Sequence, residues 1–447
     1  MQLKVKEQAE LYGTGKDFAD YVRGVMTLPN PKYRDALKYG RWAGHIPKNI
    51  ELYFDLPGGG IAFPRGWANT CLRLLRKQGF KLRIQDYRRY LQPVRFEFKG
   101  ELRDYQQQAV DAVLKRDFGI LDCPTGGGKT IMGLAAIAAR KQPTLILVHT
   151  KELLYQWADR IQEFLGIVPG VIGAGWYTIE PVTVALVHTA RKHLQDLPQH
   201  FGHLIVDECH RTPASIFTHT VKHFDSKYML GLSATAYRRD GLDAMLHLIL
   251  GERVHRVDPK QLKANGAVLA PKVIRRETAF RYDYQDDYPK MISTLTKDQE
   301  RNRQIAADVI RQAKSRAGTA LVVSDRVQHC QALADLIQDS GLEVQVLTGQ
   351  CSKDERESIV AQVKAGEVDV LVSTVQLLGE GFDCSGLSSL FMATPIKFKG
   401  RLAQVVGRIL RPGDGKLPVV YDYVDTFQPV LNSQARERGK ALSELAA

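Results

Sequence analysis

The sequence predicts an α/β protein: two lobes in tandem, each on a parallel sheet, behind a small basic α+β domain. Three observations carry this reading. From residue 101 onward, apolar runs of four to six residues alternate with helical patterns, as buried parallel strands joined by helices do. The alternation comes in two blocks, separated by turn residues at 266–271. Positive charge, by contrast, is concentrated before residue 100. The expected domains are therefore 1–100, 101–268 and 269–447.

The bulk numbers fit this division. A chain of 447 residues exceeds a single hydrophobic core. With 44% hydrophobic and 25% charged residues, the composition is that of an ordinary globular protein. No apolar run approaches the roughly 20 residues needed to span a bilayer. The first residues, Met1 to Lys6, lead into no apolar stretch, so no secretory signal is expected. Six cysteines (Cys71, Cys123, Cys209, Cys330, Cys351 and Cys384) are scattered without a CxxC pair. That argues against a zinc site or a disulfide framework and fits a reducing cytosol. Residues 1–100 hold 19 Lys/Arg against 9 Asp/Glu, which accounts for most of the net charge of +13. A localised positive field points to a polyanion, most often nucleic acid.

Residues 1–45 are weakly patterned, with short helices expected at 21–26 and 33–39. From Ile50 the period becomes two, Pro57-Gly58-Gly59-Gly60 interrupts it, and Ile61 and Phe63 resume it; this predicts a β-hairpin. Asn69-Thr70 is an N-cap signal, with a helix expected through Leu72, Leu74 and Leu75 and a stop at Gly79. Phe80, Leu82 and Ile84 then alternate with Lys81, Arg83 and Gln85, predicting a strand with one apolar and one basic face. Between Arg65 and Arg95 there are nine cations (including Arg73, Arg76, Lys81, Arg83, Arg88 and Arg89) against Asp86 alone, with Tyr87 and Tyr90 among them. This face either grips a nucleic-acid backbone or is simply solvated, and the sequence leaves both open.

In the first lobe, strands are expected at 144–148, 182–187, 203–206 and 228–232. In the second they are expected at 320–324, 343–347, 368–373, 387–393 and 419–423. Ser352-Lys353-Asp354-Glu355 is a capping box opening a helix that ends near Gly366.

Chemistry enters at residues 120–130. An apolar run leads into Cys123-Pro124-Thr125-Gly126-Gly127-Gly128-Lys129-Thr130, and a helix-forming run follows. That is the strand, loop and helix order of a phosphate-binding P-loop, with Cys123 where the strict pattern has glycine. Glycines let backbone N–H groups turn toward an anion, and the helix N-terminus adds a positive dipole end. Lys129 would reach the β- and γ-phosphates and Thr130 would hold Mg²⁺. A second apolar strand, His203-Leu204-Ile205-Val206, runs directly into Asp207 and Glu208. Carboxylates at a strand's C-terminal end can hold Mg²⁺ (Asp207) and orient and deprotonate an attacking water (Glu208).

Here the chain resembles superfamily 2 helicases and translocases. Asp207-Glu208-Cys209-His210 is similar to their DExH box. Leu102-Arg103-Asp104-Tyr105-Gln106 resembles their adenine-reading segment, with Gln106 as base contact and Arg103 beside it. The stretch from Val148 to Trp157 resembles motif Ia, in which Thr150 opens a helix and, with Lys151, meets the nucleic-acid strand. Val187-His188-Thr189 resembles the next strand-binding motif, and Ser233-Ala234-Thr235 resembles motif III, which with His210 ties the ATP site to the strand track.

In the second lobe, Val322-Val323-Ser324-Asp325-Arg326 resembles motif IV. Ser373-Thr374 with Gly379-Glu380-Gly381-Phe382-Asp383 resembles motif V, where Asp383 belongs to the nucleotide site. The run from Gln404 to Arg411 resembles motif VI, with Gln404, Arg408 and Arg411 expected on one helix face as arginine-finger chemistry. Within the superfamily the resemblance is to the UvsW, XPB and RecG group, particularly phage branch-migration helicases, although Ala236 replaces a common proline.

The resemblance covers residues 101–425 and implies two RecA-like lobes, ATP and Mg²⁺, and a motor on branched or duplex DNA, with single strands and other replication or recombination proteins as further partners. It also implies a cytoplasmic setting, bacterial or in a phage-infected cell. An RNA helicase and a remodelling subunit of a larger machine stay open as alternatives.

Overall fold

Strand after strand in the middle of the chain is buried on both faces, and these strands organise the computed structural model. It describes residues 1–446 apart from 211–213, 235–241, 316–317, 380–385, 398 and 412–415. The chain divides into two units: Met1–Pro124 with Gly128–Asp258, and Pro259–Ala447 together with the loop residues Thr125–Gly127.

In the first unit, an eight-stranded sheet has the order Trp176–Tyr177, Gly170–Gly173, Val182–Leu186, Thr144–Val148, His203–Val206, Tyr228–Ser233, Phe118–Asp122, Arg253–Arg256. Every pairing is parallel except the small hairpin at its first edge. The strand ending at Ser233 lies between the strand entering the glycine loop and the strand leading to Asp207. Because the strands are parallel, their C-terminal ends share one edge of the sheet, where ligands of such folds bind.

Residues 1–100 carry a second sheet, ordered Phe54–Leu56, Gly60–Phe63, Ala9–Tyr12, Gln2–Val5, Arg83–Asp86. Its core does not stand alone. Leu3, Leu11, Phe63 and Leu75 belong to the same buried cluster as Phe118, Leu204 and Met229 of the large sheet. Arg65, fully buried, crosses the junction: its guanidinium donates to the Ser226 carbonyl at 2.7 Å and lies over the Phe118 ring at 5.1 Å. Gln142 bonds the backbone of Leu91 in both directions, at 2.8 and 3.0 Å.

Three local expectations change here. The glycine turn fixes the pair Leu56↔Gly60, so only Phe54–Leu56 reaches the hairpin partner, and Asn49–Glu51 pairs with Thr27–Pro29 instead. The helix runs Ala68–Lys77 directly out of the 3-10 turn Arg65–Trp67, leaving Asn69 and Thr70 inside its first turn rather than at its cap. Arg83–Asp86 is an edge strand, and Phe80 and Ile84, expected to be buried, are 43% and 44% exposed.

The second unit holds a six-stranded, all-parallel sheet, ordered Lys272–Glu277, Val419–Val424, Leu387–Met392, Thr319–Ser324, Val370–Thr374, Val344–Leu347. The capping box forms as read: Ser352 N–H donates to Glu355 at 2.6 Å, and Glu355 N–H to the Ser352 hydroxyl at 3.3 Å. Among the described residues no helix is long and apolar enough to cross a membrane.

Candidate nucleotide-binding site

The strand Phe118–Asp122 delivers the chain into the glycine loop, and the helix Lys129–Arg140 leaves it. Gly126 and Gly128 have φ of +87° and +84°, a region that L side chains rarely adopt. Gly128 has a second constraint: a Cβ there would run into the side-chain amide of Gln106. Gln106 is itself buried, and its Oε1 accepts the Arg103 N–H at 3.0 Å, fixing the entrance to the helix Asp104–Leu114. The segment expected to read the base therefore packs directly against the phosphate loop.

Lys129 points back beneath that loop. Its Nζ donates to the Cys123 carbonyl at 3.3 Å and stands 3.4 Å from Glu208. Burial opposes its charge, yet Glu208 leads a set of neighbours that hold its pKa above the ordinary lysine value. The glutamate thus acts as the counter-charge that a phosphate could replace. Thr130, next in the helix, is half-buried. Cys123, in the position of the missing glycine, is a buried inert thiol that burial pushes up to about 12.

Asp207 is buried at the end of the strand His203–Val206. Its two oxygens accept from the Trp157 indole and from the Glu208 N–H, each at 2.8 Å. Burial, with Glu208 second, pushes its pKa upward, while Lys129 and the two hydrogen bonds pull it down. Glu208 has φ of +45°, a conformation worth about 1 kcal/mol of strain in a non-glycine residue. Trp157 comes from the helix Lys151–Leu165, which Thr150 caps by accepting the Leu153 N–H at 3.3 Å. Trp157 stood inside the motif Ia stretch without an assigned role, and its neighbours in sequence carry no signal of the bond its indole N–H makes to Asp207.

His210 joins the carboxylates to the next strand. Its Nδ1 is 2.9 Å from the Ser233 hydroxyl and 3.3 Å from Glu208. Ser233 also accepts the Cys123 N–H through its carbonyl, at 2.9 Å. Thr235, read as a coupling residue, lies outside the described residues, as does Asp383. A buried Asp122 precedes the loop, with Arg253 and Arg256 each 3.8 Å away.

In the second unit Gln404 is buried near the end of the helix Lys399–Gly407. Arg408 and Arg411 do not continue that helix, as had been expected. Arg408 and Ile409 close turns back to Val405 and Val406, and the Leu410 carbonyl accepts the Leu269 N–H at 2.8 Å. Pro412 in the sequence disfavours helix for the residue before it. Arg408 is buried and donates to the Leu378 carbonyl at 3.1 Å, whereas Arg411 is half-buried.

Residues 99–238 match the family model described as the res subunit of type III restriction enzymes, and residues 302–413 match the helicase conserved C-terminal domain. The probable helicase D10 of Escherichia phage T5 is 28% identical over 359 residues, covering 79% of this chain and 78% of that protein. The DNA 3'-5' translocase XPB2 of Sulfurisphaera tokodaii is 29% identical over 354 residues, covering 71% of this chain and 80% of that protein. The chain belongs to the superfamily 2 helicases. The fold also matches the solved ATP-dependent Type ISP restriction-modification enzyme LlaBIII bound to DNA, with TM-score 0.58 and 17% identity over 77% of this chain and 30% of that one. This is an ATP-hydrolysing helicase.

Its residues expected on the nucleic-acid track have diverse settings. Lys151 and Arg326 are exposed, and Thr150, Thr189 and Thr374 are half-buried. Ser324 is fully buried: its hydroxyl meets His329 Nδ1 at 2.9 Å and accepts the Arg326 N–H at 3.1 Å, so it shapes the turn that presents Arg326. The N-terminal cations of the helicase also divide. Arg76, Lys81 and Arg83 are exposed. Arg73 is exposed and paired with Glu252. Arg88 is nearly buried, bonded to Asp86 at 2.7 Å and Asp117 at 2.9 Å and lying over Phe118 at 4.9 Å. Arg89 grips both oxygens of Asp225, at 2.9 and 2.8 Å. These last two tie the N-terminal segment to the large sheet.

Proposed function

We propose that this helicase is a DNA translocase acting on branched or duplex DNA, in fork or Holliday-junction branch migration linked to recombination and repair. The observation that carries the motor chemistry is the placement of Lys129, Asp207 and Glu208 together at the C-terminal edge of one parallel sheet. Lys129 and the N–H groups of Thr125, Gly126, Gly127 and Gly128 hold the β- and γ-phosphates. Thr130 and Asp207 hold Mg²⁺, which neutralises phosphate charge when bound. Glu208 orients and deprotonates the attacking water. Gln106 and Arg103 contact the adenine. Gln404, Arg408, Arg411 and Asp383 complete the nucleotide site, with the guanidinium groups stabilising charge on the transferring phosphate.

DNA as the substrate is supported by the name of the Sulfurisphaera relative and by the exposed N-terminal cations Arg76, Lys81 and Arg83. The deciding experiment measures ATP turnover with single-stranded, duplex, forked and four-way DNA and with RNA. Strongest stimulation by forked or four-way DNA is expected. Stimulation by RNA alone would overturn the DNA reading and leave the ATPase intact.

A further inference from the structure

Residues 31–48, where the sequence shows little patterning, form a built projection. The helix Pro31–Lys38 is capped by Asn30, whose side-chain oxygen accepts the Lys32 N–H at 3.1 Å. The same buried Asn30 donates its Nδ2 to the Pro47 carbonyl at 2.8 Å and its backbone N–H to the Lys48 carbonyl at 3.0 Å. One residue therefore closes both ends of the excursion. Within it, Gly40 takes φ of +62° and the Arg41 N–H returns to the Ala36 carbonyl at 2.7 Å, ending the helix in a tight turn.

The projection carries what a solvated loop has no reason to carry. Trp42 is 76% exposed, the most exposed aromatic side chain among the described residues, and Tyr39 is 63% exposed. The indole lies across Gly44, where a Cβ would collide with the ring, and beside His45 at 4.9 Å between ring centroids. The Tyr39 ring has the Arg41 guanidinium at 5.5 Å and the Lys38 ammonium at 5.6 Å. Residues 31–48 hold five Lys/Arg against Asp35 alone. A charge run by itself reads as a solvated face. An indole held out in water among those charges does not, because burying it is favourable and a free loop would fold it away. Flat aromatic faces flanked by cations suit a base face and its phosphates.

We propose that the segment from Lys38 to Lys48 is a nucleic-acid contact, in which Trp42 stacks on an unpaired base while Lys38, Arg41 and Lys48 meet the backbone. This rests on the nucleic-acid substrate proposed above. It concerns a segment outside both matched family regions.

The test uses the full chain without nucleotide, titrated with labelled forked DNA and with blunt duplex of equal length. Trp42→Ala should weaken forked-DNA binding about ten-fold, and blunt-duplex binding less, with its salt dependence unchanged. Trp42→Phe should restore most of the affinity. Replacing Lys38 and Arg41 by Ala should lower the salt slope by about two. Basal ATP turnover should not change in any of them. Wild-type affinity for forked DNA in Trp42→Ala overturns the proposal and leaves the motor assignment standing. If the wild type binds only RNA, the same variants on forked RNA decide the loop separately from the DNA reading. Loss of binding to phosphatidylserine vesicles in Trp42→Ala, with nucleic-acid affinity intact, also overturns it.

Discussion

The imidazole Nδ1 of His210 stands 2.9 Å from the hydroxyl of Ser233. The same serine receives the Cys123 N–H on its carbonyl, so one residue touches both the carboxylate turn and the entrance to the phosphate loop. A change at Glu208, 3.3 Å from His210, has a short hydrogen-bonded route to the strand end at Ser233. Ser233→Ala removes the hydroxyl but not the carbonyl bond. Basal ATP hydrolysis should fall by no more than about five-fold, since the single hydrogen bond removed is worth about 1 kcal/mol and touches no phosphate. Strand displacement per ATP hydrolysed should fall by about ten-fold. Equal losses in both assays would show that the contact is merely structural.

Glu208→Gln tests the base. The amide keeps the size of the side chain and removes both the negative charge and the proton acceptor. The protein should fold, because Lys129 retains the Cys123 carbonyl as a partner at 3.3 Å. Turnover should drop by about three orders of magnitude with ATP still bound. Normal turnover in a folded variant would remove Glu208 from this role.

Trp157→Phe should move the acid limb of the ATPase pH profile upward. Burial and Glu208 already raise the Asp207 pKa, and the indole N–H is one of the forces opposing that rise. A hydrogen bond to the charged form lowers a pKa, so its loss raises it further. A carboxylate must be ionised to hold Mg²⁺, so activity should fail at higher pH in the variant and be partly recovered by more Mg²⁺. An unshifted limb would mean that another group titrates. Stability should move the opposite way. A raised folded pKa means that the folded state binds the proton more tightly, so this carboxyl contributes stability at low pH that is lost as pH rises through the folded value.

Much of this site was legible because its chemistry is local in sequence. The loop glycines, Lys129, and the strand running into Asp207 and Glu208 each lie in one short stretch, and parallel-sheet topology brings the stretches together. The central strands of both large sheets were legible for the same reason, as runs buried on both faces, whereas the edge strands Arg253–Arg256 and Lys272–Glu277, which carry exposed residues, were not read as strands. What stayed hidden depends on distant partners. Nothing near Trp157 announces a bond to a carboxylate 50 positions away. Nothing near Arg301 announces its buried pair with Asp425, 124 positions on. The basic run at 65–95 misled in part, because charge density does not distinguish cations facing solvent from those already paired across a junction.

That distinction makes the final prediction. Arg88 and Arg89 spend their donors on Asp86, Asp117 and Asp225, and burial of Arg88 between Phe118 and these acids leaves no fork for a phosphate. Arg89→Ala should therefore destabilise the fold by about 1–2 kcal/mol, read as a lower urea midpoint, with unchanged salt dependence of DNA binding. Exposed Arg76, Lys81 and Arg83 should behave conversely. Each alanine variant should leave the urea midpoint in place and reduce the slope of log affinity against log salt by about 0.9. Point variants are required, because deleting residues 1–95 would strip Leu3, Leu11, Phe63 and Leu75 from a core shared with the large sheet. If Arg89→Ala lowers the salt slope while the exposed three do not, the nucleic acid lies on the junction, and the pairing with Asp225 is a resting state that binding must break.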